Sequence, residues 1–148
     1  MKTLKPNNNQ KGFTLIEVFV VLAIIFIGIT IVAGNTQPAM ADSKENQYST
    51  AISIIISKAR SKAQGESDGY ASLTIQEMVD EEYLPLSFGD GSGTNPDGGD
   101  WDLSQSTVNQ LIVRATGTQQ SVCERVAKKY ALETTASCSS GTISVSAN

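Results

Sequence analysis

Apolar residues are concentrated in one block near the N-terminus. Residues 13–34 have the sequence FTLIEVFVVLAIIFIGITIVAG and carry a single charge, Glu17. As an α-helix the block would be about 33 Å long, which matches the ~30 Å hydrocarbon core of a bilayer. Lysines precede the block and an acidic remainder follows it. The positive-inside rule therefore places the N-terminus in the cytoplasm.

A helical pattern returns after this block. Its apolar positions follow i, i+3, i+4 spacing and are Tyr48, Ala51, Ile52, Ile55, Ile56, Ala59 and Ala63. Gly65 is a plausible stop for this helix, and Pro38 predicts a kink before it. We therefore expect one long helix whose second half is amphipathic and packs on a C-terminal domain.

The remainder of the chain alternates short structural patterns with turn residues. Thr74–Glu77 and Ser121–Glu124 each match a capping box, and the second box predicts a helix over 122–132. Residues 107–116 are rich in β-branched side chains, and residues 142–147 alternate apolar and polar, so both are predicted strands. The predicted fold class is α+β, with a long N-terminal α-helix packed on a small antiparallel β-sheet.

Composition narrows the possible functions. The chain has 148 residues, of which 40% are apolar and 18% charged, enough for one domain. It contains no histidine, which excludes His-ligated zinc and Ser/His/Asp triads. The net charge of −4 argues against nucleic-acid binding through overall positive charge. The sequence thus indicates no cofactor, no nucleic-acid partner and no enzyme.

Three interpretations compete for the N-terminal block. The first is a plain membrane anchor. The second is a secretory signal, because Ala39-Met40-Ala41 before Asp42 matches a signal-peptidase site; cleavage there would release a soluble binding domain. The uncharged stretch from Val18 to Gly34 is longer than the usual apolar h-region of a signal peptide, however, and neither interpretation explains Glu17 at the front of the block.

The third interpretation accounts for Lys11, Gly12 and Glu17 together. The segment KGFTLIEV, residues 11–18, resembles the class III signal of type IV pilins and pseudopilins. The resemblance implies that a prepilin peptidase cuts after Gly12 and that Phe13 is then N-methylated. The mature chain 13–148 would carry 8 basic and 15 acidic residues, for a net charge of −7.

The resemblance also implies a role and a location. The chain would be a structural subunit of a pilus-like filament, held in the bacterial inner membrane before assembly and located in an extracellular pilus or a periplasmic pseudopilus afterwards. Its partners would be the prepilin peptidase, identical or related pilin subunits and the inner-membrane assembly machinery. Glu17 would set the register of assembly by pairing with the Phe13 ammonium of a neighbouring subunit, since two such charges stabilise each other in an apolar environment.

Four segments follow from this interpretation. Residues 1–12 are the leader peptide, 13–34 the transmembrane and filament-core helix, 35–64 its amphipathic continuation, and 65–148 the globular pilin head.

Cys123 and Cys138 are the only cysteines, so the chain holds at most one disulfide. We expect them to be joined, because both lie in the proposed external head, where a bridge persists. A C-terminal pair at a helix start and before a last strand is similar to that of type IVb pilins. The short leader and Phe13 are instead similar to type IVa pilins.

The acidic residues of the head suggest two further sites. Asp97, Asp100 and Asp102 lie in the Gly/Asp-rich segment 87–104 and are weak candidates for calcium ligands, since their spacing does not match an EF-hand. A turn-rich connection is the favoured interpretation of that segment. The acidic cluster at Glu77, Asp80, Glu81 and Glu82 has no basic neighbour in sequence. Paired carboxylates can perform acid/base work, but we expect this cluster to be a solvated face without a catalytic or metal site.

Overall fold

A computed structural model describes the backbone of residues 15–132 and 134–147, and the side chains of the same ranges apart from 26–38. The chain divides into two compact units, Met1–Pro38 and Ala39–Asn148. The first helix, α1, runs over Leu15–Ala63 and contributes to both units. The helix continues through Pro38 without a break. The predicted cleavage residues, Gly12 and Phe13, lie outside the described residues.

In the second unit, α1 supplies one wall of the core. Tyr48, Ile52, Ile55 and Ala59 are fully buried, and they follow the spacing that the sequence predicted. Ala51 and Ile56 are partly buried against the same core. The helix ends at Ala63, two residues before the predicted stop.

The connection after α1 contains two short helical turns. Helix α2 spans Ile75–Asp80, and Thr74 caps it by accepting a hydrogen bond of 3.2 Å from the Glu77 amide. This confirms the predicted cap at Thr74. A 3-10 turn at Leu86–Phe88 follows and buries Phe88.

Four strands form an antiparallel sheet in the spatial order β1-β2-β4-β3. They are β1 (Trp101–Asp102), β2 (Leu111–Ala115), β3 (Thr135–Ser139) and β4 (Thr142–Ala147). The predicted final strand coincides with β4, and the predicted strand at 107–116 is shorter, as β2. Val113 of β2 pairs with Val145 of β4 at the sheet centre, and alternate residues of both strands point into the core.

Helix α3 spans Gln120–Tyr130 and buries Val122, Cys123, Val126 and Ala127. The predicted capping box at Ser121 is wrong. The helix begins earlier, its N-cap is Gln119, and that side chain makes no capping hydrogen bond. Ser121 therefore lies inside the first turn, where its side chain is exposed.

The α+β class is confirmed, with a helix, a four-stranded antiparallel sheet and one disulfide. In the part of the chain that the structure describes, none of the helices contains a sufficiently long apolar stretch to cross a membrane.

Candidate functional site

The described part of the N-terminal motif begins at Leu15, in the first turn of α1. Glu17 lies in that turn, and its side chain is exposed. A carboxylate in the first turn of a helix is favourable, because the helix dipole is positive there.

The residues around Glu17 form an apolar surface. Every side chain from 15 to 25 is exposed, and most are large and apolar, including Leu15 at 74% and Phe19 at 60% exposure. A helix that is apolar on all sides is buried in a protein core or in a membrane, and an exposed apolar patch of this extent marks an interaction surface. The described residues 15–25 therefore form a candidate interaction surface.

The predicted disulfide joins Cys123 to Cys138, with the two Cα atoms 5.6 Å apart. Cys123 is fully buried in the first turn of α3, and Cys138 lies in the edge strand β3. The bridge thus fixes α3 to the strand at the edge of the sheet. Closing a loop of this length stabilises a fold by about 3 kcal/mol on a chain-entropy estimate.

Alkylation tests this bridge. Denatured but unreduced protein from the cell should label at neither cysteine, and reduced protein should label at both. A Cys123→Ala/Cys138→Ala chain should have a free energy of unfolding lower by about 3 kcal/mol, because its unfolded state is no longer cross-linked. Two reactive thiols per chain without reductant would contradict both the bridge and the external placement of the head.

The three calcium candidates, Asp97, Asp100 and Asp102, bind different partners. The Asp97 carboxylate binds Lys44, Asp100 accepts from the Gly93 amide at 2.8 Å, and Asp102 binds Arg114 at 2.8 Å. Within the described ranges, no group of three or more His, Cys, Asp or Glu residues is arranged to hold a metal ion. The structure therefore does not bring these aspartates together as one site.

Asp97 instead organises a buried hydrogen-bond network. Besides Lys44, its carboxylate accepts from the Tyr48 hydroxyl at 3.0 Å and from the Gln119 amide at 3.2 Å. The Thr118 hydroxyl donates to the Tyr48 oxygen at 3.2 Å. This network ties α1, the Gly/Asp-rich segment and the start of α3 together.

The network shifts the pKa values of both central groups. Burial, together with the nearby Asp97 carboxylate, raises the pKa of Tyr48 above its usual range. For Asp97, burial alone would raise the pKa, but the bonds from Lys44, Gln119 and Tyr48 outweigh it and the pKa is lowered. At neutral pH the pair is therefore a neutral phenol bound to a carboxylate.

Asn95 shapes the loop that carries Asp97. Its side-chain oxygen accepts from the backbone amides of Asp97 at 3.0 Å and Gly99 at 2.9 Å. Its amide nitrogen donates to the Thr116 carbonyl at 2.6 Å. A Cβ on Gly99 would lie 2.0 Å from that same carbonyl oxygen, so the close approach of loop and strand requires glycine at 99.

The acidic cluster near α2 has no basic neighbour in sequence, but the packing of α1 against α2 brings one to two of its members, Glu77 and Glu81. Lys62, at the end of α1 and 3% exposed, places its amine 3.0 Å from Glu77 and 2.7 Å from Glu81. The hydrogen bond to Glu81 raises the pKa of Lys62 most, and Glu77 raises it further. Burial has the opposite, smaller effect. The partner was missed because it lies in a different element of the chain.

Comparison with known proteins bears on the N-terminus. Residues 7–33 match the family described as the prokaryotic N-terminal methylation motif. Searches of curated proteins and of solved structures found no match. The chain carries the class III signal of type IV pilins, and the match supports a type IV pilin-like precursor.

Proposed function

We propose that the chain is the precursor of a structural subunit of a type IV pilus or pilus-like filament. Prepilin peptidase cleaves it after Gly12, and Phe13 is N-methylated. The observation that carries the proposal is the methylation motif at residues 7–33, which includes the exposed apolar surface of α1 at residues 15–25. The role is assembly and involves no catalysis by this chain.

Assembly exchanges one apolar environment for another. Before assembly, residues 13–34 hold the precursor in the inner membrane with its N-terminus in the cytoplasm. In the filament, the same surface is covered by the helices of identical or related subunits. The inner-membrane assembly machinery moves each subunit from the membrane into the filament. Apart from Glu17, residues 15–25 are apolar, and all of their side chains are exposed, so this surface suits both environments.

The alternative is a soluble domain released by signal peptidase after Ala41. The small residues at 39 and 41 favour it. Against it, residues 39–41 lie within α1, Ala41 packs against the core, and Asp42 forms an ion pair with Arg125 of α3. Cleavage at this position would cut α1 at the residues where the helix begins to contact the rest of the head.

A Gly12→Val substitution tests the processing step. A branched side chain beside the scissile bond obstructs the approach of a peptidase to the backbone, whereas glycine does not. The variant should accumulate as a membrane-held precursor of full size, and less than about a tenth of it should be processed. Immunoblots that resolve precursor from mature protein give this fraction.

Asn8→Val is the matched control, since it introduces the same side chain into the leader, away from the cleavage site. It should be processed as the unaltered chain is. Normal mature size for Gly12→Val would contradict the proposed function.

A further inference from the structure

A groove between α1 and the C-terminal end of α3 has serine and lysine side chains among its mostly apolar walls. Its volume is about 590 Å³, and its walls include Ser49, Ser53 and Ser57 of α1 and Lys129 and Tyr130 of α3, with Lys58 at its edge. The residues that line it include two lysines and no acidic side chain. The groove therefore favours an anionic occupant that can accept hydrogen bonds.

The polar atoms of the groove are partly unsatisfied. The Tyr130 hydroxyl donates to the Ser49 carbonyl at 2.8 Å. The Ser49 side-chain oxygen is buried and, within the described residues, has no hydrogen-bond partner. Lys58 makes no ion pair in the same part of the chain, and Lys129 reaches Glu45 only at 4.0 Å, because Arg125 binds that carboxylate more closely, at 3.1 Å.

A surface of opposite charge surrounds α2. Six acidic residues lie between 66 and 82, namely Glu66, Asp68, Glu77, Asp80, Glu81 and Glu82. Lys62 pairs with three of them, Glu66, Glu77 and Glu81. Asp80 and Glu82 are exposed, and among the described residues neither forms an ion pair, although Asp80 accepts a hydrogen bond from Gln76.

The groove and the acidic surface share no residue, and the serine wall of the groove faces away from Lys62. Ser53, in the groove, and Lys62, against α2, are nine residues apart on the helix, which is about two and a half turns. Their side chains therefore leave the helix in opposite directions. A contact between such different surfaces of identical molecules is heterologous, and a heterologous contact that does not close into a ring generates an open helical filament.

Net charge adds a requirement. The mature chain carries a net charge of −7, so closely packed copies repel one another unless patches of opposite sign meet. We propose that the groove at Lys58 and Lys129 receives the acidic α2 turn, at Asp80 and Glu82, of a second copy of this chain. This contact rests on the proposed function and specifies which surfaces of neighbouring heads meet in the filament.

Charge reversal in the full-length chain tests the contact. Lys129→Glu should lower the yield of sheared filaments about tenfold or more, because like charges facing each other oppose association. Lys128→Glu is the matched control: it is the adjacent exposed residue of α3, outside the groove, and it changes the net charge equally. Its yield should stay within about twofold of the unaltered chain. Each yield is divided by the total processed protein.

Rescue identifies the partner. Asp80→Lys alone should also lower the yield, and the chain that carries both Lys129→Glu and Asp80→Lys should recover it, because the reversed charges meet between neighbouring copies. Lys129→Glu protein should keep its disulfide and its protease resistance, which separates a lost contact from an unfolded head.

The contrary outcomes are distinct. Normal yield for Lys129→Glu, or equal loss for Lys128→Glu, would overturn the groove as a specific contact while leaving the proposed function intact. Loss without rescue by Asp80→Lys would overturn α2 of a second copy as the occupant and would point to another anionic partner. If the unaltered chain forms no filaments, the proposed function fails and this contact fails with it.

Discussion

Replacing Glu17 with alanine should abolish filaments while leaving insertion, processing and the disulfide normal. The proposed cleavage after Gly12 would create a new ammonium group on Phe13, and assembly would bury that charge among apolar helices. An unpaired charge in such an environment costs several kcal/mol, and the cost is repeated at every added subunit. The Glu17 carboxylate of a neighbour offsets it, so we expect assembly to fail without this residue.

The measurement is the ratio of sheared filaments to total processed protein. Glu17→Asp is the matched control, because it keeps the charge on a side chain one methylene shorter, and it should give an intermediate ratio. Glu17→Ala protein should accumulate in the inner membrane with the mature mass and no free thiol. A filament ratio equal to that of the unaltered chain would show that Glu17 has no part in assembly.

Replacing Asp97 with alanine should destabilise the head by about 2–4 kcal/mol at neutral pH. The substitution removes one of two acceptors near the Tyr48 hydroxyl, the other being the Asn95 side-chain oxygen at 3.2 Å. It also removes the acceptor for the Gln119 amide and the Lys44 amine. Buried donors that lose their acceptor cost about 1–3 kcal/mol each when water cannot replace it. Tyr48 is fully buried and keeps the Asn95 oxygen as an acceptor, so the expected effect is shared among the three lost bonds to Asp97.

Pulse proteolysis of the processed chain across a urea series measures this loss. Asp90→Ala is the control, because Asp90 is exposed and caps only the neighbouring Ser92 amide, at 2.8 Å. It should cost less than about 1 kcal/mol. An Asp97→Ala chain as stable as the Asp90→Ala chain would contradict the role of the network.

Low pH should remove the difference in stability between the unaltered chain and Asp97→Ala. The pKa of Asp97 is lowered in the folded protein, so its contribution is fully present above the unfolded aspartate pKa of about 3.9 and is lost as the pH falls through the folded value. The gap in stability between the unaltered chain and Asp97→Ala should therefore be widest near neutral pH and narrow in strong acid.

Local patterns in the sequence predicted the elements whose stability is local. The amphipathic half of α1 followed from helical spacing, and β4 followed from strict alternation, because both patterns record which side chains face the core. The Thr74 cap was predictable because a single hydroxyl and an amide three residues later make it. The pairing of Cys123 with Cys138 followed from their being the only two cysteines.

Elements that depend on distant partners were not predictable. Strand β3, TASCS, lacks the large apolar residues of a typical strand, and it exists because β4 pairs with its backbone and the disulfide holds it. The bonds of Tyr48 to Asp97 and Thr118 connect residues 49 and 70 positions apart. The ion pairs of Lys62 with Glu77 and Glu81 likewise form only when α1 packs against α2, so the sequence alone does not indicate them.

The most direct test of this account is the N-terminus of the mature protein. Intact mass and N-terminal sequencing of the chain purified from cells should identify N-methylated Phe13 as the first residue. The mass should exceed that of unmethylated residues 13–148, with the disulfide closed, by one CH2 unit, because a methyl group replaces a hydrogen. A chain that begins at Asp42 would establish signal-peptidase release instead, and one that retains Met1 or the leader would show that no prepilin processing occurs. Either result would contradict the proposed function.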